Sequence, residues 1–178
     1  MTVTIRHRLL SVFGAAIVLA IGAALVQGNR LQAQENPLVG HAAPAWKLKD
    51  LDGREVSSAG FKGKVVVVDF WATWCGPCVS EIPGYIELQK KYGPDGLVII
   101  GMSVDQKSPE YVRKFTQEHG MNYTIVMADD EAVATFGSIE AIPTTFLIGR
   151  DGRIIHAKTG AMPHEEYEKL VQQALGKT

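Results

Sequence analysis

Apolar positions divide the chain into an N-terminal block and a longer patterned stretch. Leu9 to Val26 is an 18-residue run without a charge, with Arg6 and Arg8 just ahead of it. Such a run is long enough to cross the apolar interior of a bilayer as a helix. The positive-inside rule then leaves the N-terminus in the cytoplasm and exports everything after Arg30. Residues 1–30 are accordingly expected to be a retained membrane anchor or a cleaved signal peptide. Signal-peptide apolar cores usually run about 7–15 residues, which favours the anchor, while Leu31-Gln32-Ala33 offers a small-residue cleavage site. No cysteine stands just after the run, so a lipid-modified N-terminus is not expected. Residues 31–36 read as a polar linker.

From residue 37 to 178 the pattern is that of a folded domain. Short apolar stretches around Trp46, Leu48 and Leu51, broken by Asp52-Gly53, predict a small hairpin. Val65-Val66-Val67-Val68-Asp69-Phe70-Trp71 is a continuous β-branched and aromatic run, expected of a central strand covered on both faces. The helix that follows ends near Tyr92-Gly93-Pro94, and Pro83 inside it predicts a kink. Leu97 to Val104 predicts a second buried strand. Ser108-Pro109 reads as an N-cap and first turn of a helix whose buried face is Tyr111, Val112 and Phe115. Asn122 to Ala128 reads as a strand, and Glu131 to Phe136 as a short helix stopped by Gly137. Thr144 to Ile148 and Arg153 to Ala157 form a hairpin around Asp151-Gly152. Tyr167, Leu170, Val171 and Ala174 recur at helical spacing and predict a final amphipathic helix. Strands that alternate with helices in this way argue for an α/β sandwich.

Charge removes one class of function. Lys and Arg total 18 against 19 Asp and Glu, for a net charge of −1. No basic block is present, so nucleic acid is not expected as a partner.

The chemistry lies in the only two cysteines, Cys75 and Cys78, at the junction of the central strand and the next helix. As a staple the pair is poor: closing about 4 residues is worth about 1.9 kcal/mol by chain entropy, against roughly 4.7 for about 100. As a reactive site it is well placed, because a helix start offers unpaired backbone N–H groups and the positive end of the helix dipole. Both stabilise a thiolate, and in such pairs the first cysteine's pKa falls below the usual value of about 8.5, in one case to about 7. Cys75 is expected to attack a disulfide and Cys78 to resolve the mixed disulfide that results. Structural zinc needs four ligands, and His41, His119, His156 and His164 show no regular ligand spacing. Haem attachment would need histidine after the second cysteine, where Val79 stands. No resident metal or cofactor is expected, although transient copper binding by the sulfurs stays open.

Asp69-Phe70-Trp71-Ala72-Thr73-Trp74-Cys75-Gly76-Pro77-Cys78 resembles the thioredoxin active-site stretch. Gly40 to Pro44, Lys62-Gly63-Lys64, Glu81-Ile82-Pro83 and Gly101 to Asp105 are similar to the membrane-anchored TlpA and ResA branch. The resemblance runs from Pro37 to Gly176. It implies a thioredoxin-like sandwich with a central mixed β-sheet flanked by helices and an N-terminal hairpin. The helix from Pro109 to His119 and the strand after it would be the branch's central insertion. It also implies an extracytoplasmic, periplasm-facing enzyme that reduces exported proteins, apocytochromes c among them. An oxidising compartment cannot keep such an enzyme reduced, so electrons from a membrane-bound thiol donor are expected.

Site residues follow from the same resemblance. Ile142-Pro143-Thr144 matches the loop whose proline is cis and faces the cysteines; the backbone before it pairs with substrate, and the ring keeps metals off the sulfurs. Asp69 matches the buried thioredoxin acid and Glu81 the acidic residue of the ResA branch, and having both departs from either pattern. Asp69 is the first candidate for proton shuttle to Cys78 and Glu81 the second; burial near Cys78 should raise such a carboxyl toward neutrality. Trp74, with Gly76 and Pro77, is expected to form an apolar rim for extended peptide, whereas Trp71 is expected in the core. Two other functions remain as alternatives. A peroxiredoxin-like peroxidase would place Thr or Ser three residues before its attacking cysteine, where Ala72 precedes Cys75. A non-enzymatic copper-delivery or chaperone module would use the sulfurs or the cleft for binding alone.

Overall fold

The structure is a computed structural model that describes residues 36–177. The expected anchor over residues 9–26, the cleavage site and all of the linker but Asn36 lie outside the described residues. Seven strands form one sheet, in the order β2-β1-β5-β4-β3-β6-β7. In chain order they are β1 (Lys47–Asp50), β2 (Glu55–Ser57), β3 (Val65–Trp71), β4 (Leu97–Ser103), β5 (Thr124–Met127), β6 (Thr144–Ile148) and β7 (Ile154–Thr159). The helices are α1 (Gly76–Tyr92), α2 (Pro109–Glu118), α3 (Asp130–Thr135) and α4 (His164–Leu175). β3, β4 and β5 run parallel, while β6 pairs with β3, β7 with β6 and β1 with β5 antiparallel. The expected mixed sheet of a thioredoxin-like sandwich is thus present.

Every residue of β3 is buried, and strand alternation sends its side chains to two different cores. Val66, Val68 and Phe70 pack with Ile100, Met102, Phe136 and Phe146 on one face. Val65 and Val67 pack on the other against Tyr85, Leu88 and Tyr92 of α1 and Tyr167 and Val171 of α4. Trp71 continues this second face, with Cys75, Cys78, Ile82 and Val112. Asp69 shares the parity of Val65, Val67 and Trp71. It therefore sits on the face covered by α1, the helix that begins at the cysteines.

Helix boundaries follow local chemistry. Ser108 caps α2 by accepting the Tyr111 N–H, with Pro109 in the first turn, and Asp129 caps α3 by accepting from Ala132. Pro83 lies inside α1, which runs unbroken to Tyr92. One expectation fails. Tyr111 is 51% exposed, and α2 buries Val112 and Thr116 instead. The apolar face turns with the register of Val112, and Tyr111 lies a full 100° away from it. The strand expected over Asn122 to Ala128 shortens to β5 because its parallel register with β4 begins at Ile100 opposite Thr124.

Candidate active site

The site is assembled where β3 and β6 meet the start of α1. Cys75 is the N-cap residue of α1, and its Sγ accepts the backbone N–H of Cys78 at 3.3 Å. Pro77 stands in the first turn, where a missing N–H costs nothing. The two sulfurs are joined as a disulfide. Its surroundings are unequal in access: Cys75 and Cys78 are 5% and 2% exposed, whereas Trp74 is 68% exposed and Gly76 and Pro77 are exposed beside it. Trp74, Gly76 and Pro77 thus form an exposed rim beside the buried sulfurs.

Opposite this rim lies the loop before β6. The Ile142–Pro143 peptide bond is cis, as the resemblance implied. Ile142 O lies 3.7 Å from Cys75 Sγ, and Ile142 packs against the apolar cluster that contains both cysteines. The loop and the helix start therefore bracket Cys75 Sγ. Trp71, 1% exposed, is core, as expected.

On the face of β3 that α1 covers, Asp69 is 4% exposed. Sheet register sets Thr145 of β6 directly beside it, and Thr145 Oγ1 donates to Asp69 Oδ1 at 3.1 Å. Tyr85 Oη stands 3.2 Å from the same Thr145 oxygen. Burial pushes the Asp69 carboxyl up to about 8, the Glu81 charge adds to the rise, and the Thr145 bond offsets only part of it. Near neutral pH this acid is mostly protonated yet able to ionise.

Glu81 follows Cys78 by one turn of α1 and is half-buried. Its Oε1 accepts the Met162 N–H at 3.0 Å, and its Oε2 is buried with no partner among the described residues. Burial raises its carboxyl, against the lowering effect of the Met162 N–H. Sequence parity and helix spacing thus bring both expected acids to the same side of the sheet, where the Glu81 charge adds to the rise at Asp69.

Sequence reasoning missed a third acid. Asp105, 8% exposed, accepts from the Thr73 N–H at 2.9 Å, the Thr73 hydroxyl at 2.6 Å and the Ser103 hydroxyl at 2.9 Å. Three donors to one carboxylate clamp the segment that leads into Trp74 and Cys75. The available signal was an acid two residues beyond the serine that ends a strand otherwise made of Leu, Val, Ile, Gly and Met.

A family model described as Redoxin matches residues 38–174. The thiol-disulfide oxidoreductase ResA of Bacillus cereus (strain ATCC 10987 / NRS 248) is 33% identical over 155 residues, covering 86% of this chain and 88% of that protein. ResA of Bacillus subtilis (strain 168) is 32% identical over 136 residues, 75% of each chain. Among solved structures, a thiol:disulfide interchange protein of the thioredoxin family from Chlorobium tepidum TLS superposes with a TM-score of 0.70 at 34% identity. That match covers 76% of this chain and 96% of the other.

Proposed function

The chain belongs to the Redoxin family and is a thioredoxin-like protein-disulfide oxidoreductase, and from that footing we propose that it works outside the cytoplasm as a reductase of exported proteins. The observation that carries this reading is the environment of Cys75 Sγ, which takes the Cys78 N–H at 3.3 Å at a helix start and faces Ile142 O at 3.7 Å. A thiolate is favoured at that position, beside a backbone able to hold an extended substrate. The charge-free run from Leu9 to Val26 supports a single-pass anchor, or a signal peptide if it is cleaved.

The reaction moves two electrons from the enzyme dithiol to a substrate disulfide. Cys75 thiolate attacks one substrate sulfur; an enzyme–substrate S–S bond forms, the substrate S–S bond breaks, and one substrate thiolate leaves. The Asp69 carboxylate takes the proton of the Cys78 thiol. Cys78 thiolate then attacks Cys75 Sγ, the enzyme disulfide closes, and the second substrate thiolate departs. Glu81 is the second acid able to serve this step. Trp74, Gly76 and Pro77 hold the substrate from one side and the Ile142 backbone from the other, and Pro143 keeps metals from the sulfurs. An oxidising compartment does not restore the dithiol, so a membrane-bound thiol donor supplies the electrons. Gly-Pro between the cysteines is like thioredoxin, near about −270 mV, rather than the oxidant DsbA, near about −120 mV. Apocytochromes c before haem attachment are the leading substrate class.

The test is to express Cys78→Ala and identify the proteins that become disulfide-linked to Cys75. Apocytochrome partners specify cytochrome maturation and diverse exported partners a general reductase. No trapped protein, or a measured potential near that of DsbA, overturns the reductase reading.

A further inference from the structure

Asp69 is nearly inaccessible, yet a shuttle that takes the Cys78 proton has to release it before the next turnover. The fold supplies a route. Thr145 Oγ1 is 3.1 Å from Asp69 Oδ1 and 3.2 Å from Tyr85 Oη. Tyr85 and Tyr167 meet edge-on with centroids 5.8 Å apart. Both line a cavity of about 140 Å³ between α1 and α4, whose walls include Glu81, Met162 and His164. Two buried polar atoms from these walls, Tyr167 Oη and Glu81 Oε2, have no hydrogen-bond partner among the described residues. The cavity opens to solvent, and these two unpartnered polar atoms give water a place to bind in it.

We propose that Thr145 and Tyr85 form a hydroxyl relay that carries protons between Asp69 and the cavity bounded by Glu81 and Tyr167, making both residues positioning and proton-transfer groups for resolution of the mixed disulfide. The proposal rests on Asp69 being the shuttle. Each hydroxyl donates one proton and accepts others, so the transfer is a shift along the chain. Asp69 O–H gives its proton to Thr145, Thr145 gives its own to Tyr85, and Tyr85 gives its own to cavity water. One proton leaves, and no electron moves.

The groups facing Asp69 come from several elements: Glu81 and Tyr85 from α1, Thr145 from β6, Tyr123 ahead of β5, and Tyr167 from α4. His164 stands on the cavity wall, 3.6 Å from Glu87. Burial and the nearby carboxyls push the Tyr85 and Tyr167 hydroxyls up. They stay neutral and pass protons on rather than holding a charge.

The test uses the full reduced chain and Ellman's reagent, which frees one equivalent of aryl thiolate on attack by Cys75 and a second on resolution. At pH 7 most molecules hold Asp69 protonated, so it must be emptied through the relay first; near pH 9 it is already ionised. Tyr85→Phe and Thr145→Val, both close in shape to the originals, are therefore expected to slow the second release on the order of tenfold at pH 7. They should spare the first release and approach the parent rate near pH 9. Imidazole, small enough to reach the cavity, should restore part of the lost rate. If Asp69→Asn leaves resolution unchanged, the shuttle assignment fails and the relay with it. If Asp69→Asn slows resolution but both relay variants match the parent at every pH, the relay alone is overturned. A deficit that is constant with pH and indifferent to imidazole marks a structural effect and also overturns it.

Discussion

Replacing Asp69 by Asn should make the oxidised protein more stable and less active. An acid whose folded-state pKa is about 8 instead of its ordinary 3.8 binds more protons folded than unfolded across that interval. Its contribution is fully present below pH 3.8 and is lost as pH rises toward about 8. The loss is about 1.36 kcal/mol for each pH unit between 3.8 and about 8, hence roughly 4 kcal/mol at pH 7 and, levelling off, roughly 6 near pH 9. Asparagine has the same shape, can still accept the Thr145 hydroxyl and does not ionise. Urea unfolding of the two oxidised proteins should show the variant ahead by about 1–2 kcal/mol at pH 5, about 4 at pH 7 and about 6 at pH 9. Resolution of the mixed disulfide at pH 7 should slow in the same variant. A stability difference that does not change with pH, or an Asn variant less stable than the parent at pH 7, would refute the burial-driven account of this acid.

Three further outcomes follow from the geometry. Asp105→Ala leaves the Thr73 N–H and hydroxyl and the Ser103 hydroxyl without their acceptor; it should cost about 1–3 kcal/mol in urea unfolding and lower kcat/KM for disulfide reduction. Trp74→Ala removes a side chain that is mostly exposed, so the melting temperature should stay within about 2 °C while KM for a peptide disulfide rises. Gly101→Ala would set a Cβ 2.6 Å from Ile125 Cδ1 and 2.9 Å from Trp71 Nε1, and overpacking there should cost about 1–3 kcal/mol by the same unfolding assay.

The elements that read clearly from sequence were those whose own side chains decide their state. The Val65–Trp71 run could only be a doubly covered strand, Ser108-Pro109 states its own cap, and Cys75-Gly76-Pro77-Cys78 marks a helix start. What stayed hidden depends on which strands become neighbours. No local pattern says that β1 pairs with β5 or that β6 brings Thr145 beside Asp69, so the Thr145–Tyr85 contact was invisible. Asp105 was overlooked for the same reason, since its partner Thr73 lies on another loop. Tyr111 was misassigned because three apolar residues on a short helix leave the centre of its buried face undetermined, and Thr116 completes that face instead.

In the proposed mechanism the start of α1 holds Cys75 as a reactive thiolate although the residue is only 5% exposed in the disulfide. The direct measurement is the alkylation rate of Cys75 in the fully reduced chain as a function of pH, with the modified cysteine identified by peptide mass. Alkylation is expected at Cys75 before Cys78, with a midpoint well below 8.5, at about 7. A midpoint at or above 8.5, or a Cys75 that resists alkylation when reduced, would contradict that mechanism.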